Sequence, residues 1–379
     1  MEAQPYWLDG ALPKIRKRVL AGPPEVEVVG GGVTGCACAL ALARAGVRVR
    51  LHEARTVASG ASGRNGGFAL RGGAMPFDAA ERQLGEDAAL RLWALTAGAL
   101  DRLEQLAGDA FRRTGSLRLA ADPGERDELR AEFAALRRAG LEVEWVDTLA
   151  HPLEGRFHGA LLHPRDGAMH PARWVRRLAG LAFDAGAEIR EGSPVAALDE
   201  LEADQVVLAT DGYTRGLVAE LDAAVQPARG QVVATAPLPA SVFERPHYAR
   251  GGYDYWQQLP DRRLVIGGWR DADLDAESTH VEATSAAIQA KIEGFLAELF
   301  GSAPEITHRW AGIFGVTEDR LPLAGAWPGR DGLWVACGYS GHGNVLGLAC
   351  GELVAGAIVG EPASALELFD PARLVASTS

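Results

Sequence analysis

Apolar positions along the chain follow two periods. Short runs such as Val26–Val29 and Leu333–Ala336 close at or near glycine, as parallel strands buried on both faces do. Only Glu27 interrupts the first of them. A helical pattern follows over Val33–Ala45 and a second run over Val47–Leu51, which together predict a βαβ unit of about thirty residues. Leu90–Leu106 and Glu125–Ala139 read as amphipathic helices, and Pro171 occupies the favoured first turn of another running to Asp184. Pro194–Leu198 and Val206–Ala209 read as short strands. From Gln226 to Gly268 the pattern changes to strand-like alternation over Gln231–Ala236, Tyr253–Gln258 and Leu264–Ile266, which predicts an antiparallel sheet. A helix is expected over Val281–Leu299, and the Gly- and Ala-rich Val345–Val359 reads as the last one. Parallel βα material therefore occupies both ends and part of the middle, with antiparallel material inserted: an α/β fold combined with α+β.

Neither of the two most apolar stretches suits a bilayer. Charges interrupt Val26–Val49, and Val345–Val359 falls short of the roughly 20 residues a span needs. With no secretory signal recognisable, a cytoplasmic protein is expected. The 379 residues, 47% of them hydrophobic, can build a sizeable core, and the length fits two or three domains. A formal charge of −12 argues against nucleic-acid binding, which needs a positive face. Cys36 and Cys38 lie one residue apart, Cys337 and Cys350 stand alone, and no CxxC occurs. The four therefore predict neither a disulfide framework nor a metal site, but small buried hydrophobes in a reducing compartment.

Glycine carries the chemistry. Fourteen of the 46 glycines fall in Gly30–Gly35, Gly60–Gly73 and Gly338–Gly347. The first segment, Gly30-Gly31-Gly32-Val33-Thr34-Gly35, directly follows a strand and opens a helix, the context in which GxGxxG cradles a pyrophosphate. Glu53 closes the next strand, where a carboxylate accepts hydrogen bonds from an adenosine ribose and repels a 2′-phosphate. That pattern serves NAD or FAD equally. The second segment, Ser59-Gly60-Ala61-Ser62-Gly63-Arg64-Asn65-Gly66-Gly67, favours FAD, because so many small residues let backbone lie against a flat ligand. The third, Ala336–Asn344, is again a strand-to-helix turn whose free N–H groups suit negative charge. His342 lies there between two glycines, a place where its backbone matters more than its imidazole.

These segments, with Asp166-Gly167-Ala168-Met169-His170-Pro171 and Val207-Leu208-Ala209-Thr210-Asp211-Gly212 between them, resemble the FAD-dependent D-amino-acid oxidase-like superfamily over nearly the whole chain. The resemblance implies a Rossmann-like FAD-binding domain (22–78, 150–225 and 321–379) interleaved with an antiparallel-sheet substrate domain (79–149 and 226–320), after an extension, 1–21. It implies FAD contacts from Gly30, Gly32, Val33, Thr34 and Gly35, from Glu53, Ala54 and Arg55, and from Ser62, Gly63, Arg64, Asn65, Gly66 and Gly67. Val195 would meet the adenine, with Ala209 and Thr210 near the adenosine half; Gly212, Gly338, Tyr339, Gly341, His342 and Gly343 complete the set. Gly60–Gly67 and the early Tyr6-Trp7 look most like the γ-glutamylputrescine oxidase branch.

Tyr255 matches the family's active-site tyrosine, though an aromatic packed in a sheet gives the same pattern. Trp310–Thr317 matches the stretch that carries, in glycine and D-amino-acid oxidases, the arginine clamping the substrate carboxylate. Phe314 stands in that place and cannot form the bidentate clamp. This favours an amine without an adjacent carboxylate, unless Arg309 or Arg320 substitutes. The chemistry implied is oxidation of a C–N bond in a primary or secondary amine, by hydride transfer to flavin N5, with O2 reduced to H2O2. Tyr255, His342 and Arg64 are the candidate catalytic groups, and Tyr255, Phe314 and Arg309 would face the substrate. Alternatives are an oxidase of glycine, sarcosine or a D-amino acid, a dehydrogenase passing electrons to a quinone or carrier, and a non-catalytic dinucleotide-binding regulator. With no cysteine near Phe314, non-covalent FAD is expected.

Overall fold

The computed structural model describes residues 4–375. Its first sheet has six strands, in spatial order Leu323–Ala326, Leu333–Cys337, Gln205–Leu208, Val26–Val29, Val49–Glu53 and Glu188–Glu191. Five are parallel, and only the Leu323–Ala326 edge runs antiparallel. Parallel neighbours require crossovers, and the first is the helix Val33–Arg44. That helix packs against Pro171–Ala185 and Gly343–Ile358. Cys36, Cys38 and Cys350 lie in this helical layer, and burial pushes the Cys38 thiol up to about 12. No described helix is long and apolar enough to cross a membrane.

A second sheet of eight strands runs Ile306–Val316, Gln226–Thr235, Leu264–Gly268, Asp254–Gln258, His247–Ala249, Ser116–Leu119, Ala160–His163 and Glu144–Val146. It is antiparallel except where His247–Ala249 meets Ser116–Leu119. A small third sheet joins Phe68–Ala69, Gly167–Met169 and Phe111–Arg112. The chain thus weaves repeatedly between the two large sheets.

Three expectations need correction. Pro194–Leu198 is not a strand; the pairing segment is Glu188–Glu191, which ends at Gly192 in a left-handed conformation. Pro194 has no N–H to donate to a ladder, and the charged sequence Glu-Ile-Arg-Glu disguised a real edge strand. Ile306–Val316, the longest strand, went unrecognised as one. The helix expected over Val281–Leu299 begins only at Ala286, after an irregular segment whose Ser285 amide donates to Gln231 Oε1 at 2.9 Å.

The polar residue inside the first strand has a partner set. Glu27 is 1% exposed and takes Arg50 Nη1 at 3.1 Å, His52 Nε2 at 3.0 Å, and the amides of Glu202 and Ala203 at 2.6 and 3.0 Å. Arg50 Nε also binds Glu188 Oε2 at 3.0 Å. Burial alone would raise the Glu27 carboxyl, but the hydrogen bonds from His52, Ala203, Glu202 and Arg50 hold it below the usual glutamate range. Folded Glu27 therefore binds its proton less readily than unfolded Glu27. Its ionisation stabilises the fold above the unfolded value of about 4.3, and that contribution is lost as pH falls through the lower, folded value. Urea unfolding should lose midpoint between about pH 5 and pH 3, and Glu27→Gln should flatten that slope. An unchanged slope in the variant would assign the acid sensitivity elsewhere.

Candidate active site

Where the parallel strands end, the first glycine segment turns into the helix Val33–Arg44. Gly30 has φ +116°, and its amide donates to His52 O at 2.8 Å. A Cβ there would strike the Ala209 carbonyl oxygen, so glycine alone allows this turn to meet the neighbouring strand. A helix leaves its first N–H groups without intrahelical partners. Ser62 Oγ accepts the Val33 amide at 3.0 Å, while those of Gly32 and Thr34 find no acceptor among the described residues and line a continuous cavity of about 800 Å³. Glu53 Oε2 takes the Gly31 amide and Oε1 the Arg55 amide, both at 2.8 Å, which fixes the carboxylate beside this helix start.

The second segment is pinned by two indoles. Trp7 Nε1 donates to Asn65 O and Trp310 Nε1 to Arg64 O, both at 2.7 Å. This gives Trp7, 0% exposed although near the N-terminus, a structural task. Asn65 and Asn344 exchange side-chain hydrogen bonds at 3.1 Å, tying the segment to the last helix. Arg64 lines the cavity, but its guanidinium is engaged by Ser59 O at 2.6 Å, Ala311 O at 3.0 Å and Glu282 at 3.5 Å. Arg55 likewise pairs with Glu282 at 2.6 Å.

Opposite the helix start, the eight-stranded sheet presents one row of side chains. Val232, Gly267, Tyr255, Tyr248 and Arg118 are direct partners on five successive strands. Gly267 and Gly230 leave room for the Tyr255 ring, whose hydroxyl would lie 2.6 Å from a Cβ on Gly267. The ring also meets Phe68 edge-on at 5.9 Å. Burial pushes the Tyr255 hydroxyl up to about 12, with the Arg270 charge opposing, so it is a neutral donor at physiological pH. At the end of the row Arg118 Nη1 pairs with Glu132 at 2.6 Å.

The third turn closes the cavity. Half-buried Asp211, with a positive φ of 46°, joins it to the second sheet: Oδ1 accepts the amides of Gly338 and Tyr339 at 2.9 and 3.4 Å, and Oδ2 that of Gly315 at 2.9 Å. His342 is the N-cap of the helix Gly343–Ile358 and lines the cavity. Burial lowers its imidazole to about 4, so the ring is neutral, and its buried Nδ1 has no hydrogen-bond partner among the described residues.

The structure brings most sequence-derived positions to one cavity, including Val195, Ala209, Thr210, Tyr339, Gly341 and Phe314. It does not bring Gly35, Gly63, Gly67, Gly212 or Gly338 there. These permit close backbone packing; Gly35, for one, lies against the Gly30 carbonyl. Arg309 is also off the wall, its guanidinium held by Glu293 at 2.8 Å and Gln289 at 2.9 Å. Arg320 lines the cavity from an exposed position. Sequence reasoning missed Asp211, Arg118 and Arg270 as wall residues. Arg270 follows Trp269, a bulky residue in the left-handed region at φ 59°, and that kink after a double glycine was the available signal.

Free amides at a helix start, a fixed carboxylate beside them, a second small-residue wall and an unpartnered imidazole nitrogen together fit a dinucleotide with a flat ring system. A family model described as FAD dependent oxidoreductase, DAO, matches residues 25–357. The chain is 29% identical over 370 residues to a probable oxidoreductase, OrdL, of Rhizobium meliloti (strain 1021), covering 89% of this chain and 83% of that protein. It is 30% identical over 370 residues to the gamma-glutamylputrescine oxidoreductase of Escherichia coli (strain K12), covering 89% and 84%. The crystal structure of glycine oxidase from Geobacillus kaustophilus superposes with a TM-score of 0.74 at 26% identity, over 93% of this chain and 98% of that one.

Proposed function

The chain belongs to the DAO family of FAD-dependent oxidoreductases, and we propose that within it this protein oxidises the C–N bond of a primary or secondary amine of the γ-glutamylputrescine type. FAD is the cofactor. The amides of Gly32 and Thr34 would hold its pyrophosphate and Glu53 its adenosine ribose. None of the four cysteines lines the cavity, which supports non-covalent attachment. Segments 22–78, 150–225 and 321–379 would form the FAD half, and 79–149 and 226–320 most of the substrate half.

Bound FAD supplies a two-electron acceptor, whose electrons pass on to O2 and leave as H2O2. The substrate loses two electrons and two protons as its amine becomes an imine, which water then hydrolyses. The observation that carries this reading is which titratable groups line the cavity and how they are engaged. Tyr255 is a neutral donor, and His342 is a neutral imidazole too weakly basic to take a proton from carbon. Asp211 and Glu132 are engaged by backbone amides and by Arg118. Every carboxylate that lines the cavity except the exposed Glu318 is engaged, so the chain's part is to orient an unprotonated amine and exclude water, which suits hydride loss from carbon. The aromatic wall of Tyr248, Tyr255 and Phe314 favours the uncharged amine by desolvation. Purified protein should be yellow, and anaerobic addition of γ-glutamylputrescine or a related amine should bleach it. Protein that is colourless and releases no FAD on denaturation would end the proposal.

A further inference from the structure

A cluster of charged and aromatic side chains spans the cavity beside the phosphate cradle. Val26–Val29 has Val49–Glu53 on one side and Gln205–Leu208 on the other. The Gly30–Gly32 turn therefore lies between the segments that follow those two strands, which stand about 10 Å apart. Arg55 comes from the segment after Val49–Glu53, Tyr213 from the turn Asp211–Tyr213 after Gln205–Leu208, and both line the cavity. The two meet across the gap: the Arg55 guanidinium carbon lies 5.4 Å from the Tyr213 ring centre. One carboxylate fastens this bridge. Glu282 takes Arg55 Nη1 at 2.6 Å and Nη2 at 3.1 Å, the Tyr213 hydroxyl, and Arg64 at 3.5 Å. Burial would raise its carboxyl, but the hydrogen bonds from Arg55 and Tyr213 hold it below the usual glutamate range. Glu282 belongs to the irregular segment 278–285, whose ends are tied to the eight-stranded sheet. Glu277 pairs with Arg229 at 2.7 Å, and the Ser285 amide donates to Gln231. Between these ties Ser278, His280, Val281 and Ala283 are exposed, while Glu282 turns inward.

We propose that Arg55, Tyr213 and Glu282 form a clasp across the dinucleotide groove, and that its opening limits how fast FAD enters and leaves. A pyrophosphate on the Gly32 and Thr34 amides is straddled by this bridge, because Arg55 and Tyr213 reach over the same turn from its two sides. The bridge consists of long side chains, and the segment that supplies Glu282 is exposed on either side of it, so the clasp parts without disturbing either sheet. Glu282 does not itself line the cavity. A carboxylate would repel a pyrophosphate, so its charge serves to hold Arg55 and Tyr213 rather than to bind the cofactor, which makes it a positioning residue. The contacts of the clasp lie within the protein, so loosening them acts on the free and the loaded protein alike and alters rates more than affinity. Nothing in the clasp depends on which substrate is oxidised, so its failure would leave the amine-oxidation proposal standing.

The test follows FAD rather than turnover. Holoenzyme is mixed with excess isotope-labelled FAD, and exchange of the bound cofactor is read by mass spectrometry of washed protein. Kd is read from the same holoenzyme by serial dilution, as the rise of free-flavin fluorescence. Glu282→Gln should speed exchange roughly 10-fold, the low end for a lost charge-assisted pairing because Arg55 is partly open to water, while Kd moves little. Glu282→Asp should fall between that variant and wild type. Tyr213→Phe deletes one hydroxyl and should give the same pattern at smaller size. Glu293→Gln breaks a pair with Arg309 away from the cavity and should change neither quantity. The melting temperature of each holoenzyme is the folding control, and if Glu282→Gln does not fold, Tyr213→Phe decides. An unchanged exchange rate overturns the proposal. So does a Kd weakened by the same factor as exchange is accelerated, which would make Glu282 a support of the bound cofactor. Slower exchange overturns it too, as the result expected if the carboxylate only repelled the phosphates.

Discussion

Replacing Gly30 by valine should give a protein that retains little or no FAD. Two penalties act at one atom. A φ of +116° is open to glycine and closed to a β-branched residue, and any Cβ would overlap the Ala209 carbonyl just past the end of the adjacent strand. Relief requires the turn to lift away, which moves the free amides of Gly32 and Thr34 off the wall they share with Glu53. Because those amides act together with the helix dipole, displacing them weakens anion binding as a unit. The absorbance ratio at 450 and 280 nm of purified protein, with circular dichroism as a fold control, reads the outcome. Gly30→Ala should show a smaller loss, and normal flavin content in Gly30→Val would show that this turn does not hold the dinucleotide.

Asp211→Ala should be the most destabilising single change at the site. Its carboxylate accepts amides from Gly315 in the eight-stranded sheet and from Gly338 and Tyr339 at the end of the six-stranded one. Removing it leaves up to three N–H groups without an acceptor, at about 1–3 kcal/mol for each that stays buried. A total of about 3 kcal/mol corresponds to roughly 4 °C in Tm for a chain of this size. Asp211→Asn keeps the shape and one acceptor oxygen, so it should lose less. A melting temperature within about 1 °C of wild type in the alanine variant would show that water takes over these contacts.

The parts legible in the sequence are those whose chemistry is contiguous. Gly30–Gly35 carries its turn, cradle and helix start within six residues, and Glu53 follows at the end of the next strand. The buried cysteines and the parallel strands at 26–29, 205–208 and 333–337 follow equally from local apolar runs. What escaped depends on partners far along the chain. Arg118 gains its place from Tyr248, which it meets only through sheet pairing, and Asp211 gains its role from amides more than a hundred residues away. Glu188–Glu191 escaped because its buried charge answers Arg50 across the sheet, so it carries no apolar signature. Among 35 arginines, nothing local distinguished Arg270 from Arg309; stacking on Phe314 and pairing with Glu293 did.

The order of strands in the six-stranded sheet sets a timetable for synthesis. Val26–Val29 leaves the ribosome early, yet its neighbour Gln205–Leu208 pairs in turn with Leu333–Cys337. At about 5–20 residues per second, the first strand waits roughly 15–60 s before the sheet beyond it can close. During that interval the nascent chain holds apolar strands with open edges, which makes it a client for chaperones and a substrate for quality-control proteases. A ribosome stalled anywhere before residue 333 would release a product whose six-stranded sheet lacks Leu333–Cys337 and leaves the edge of Gln205–Leu208 open.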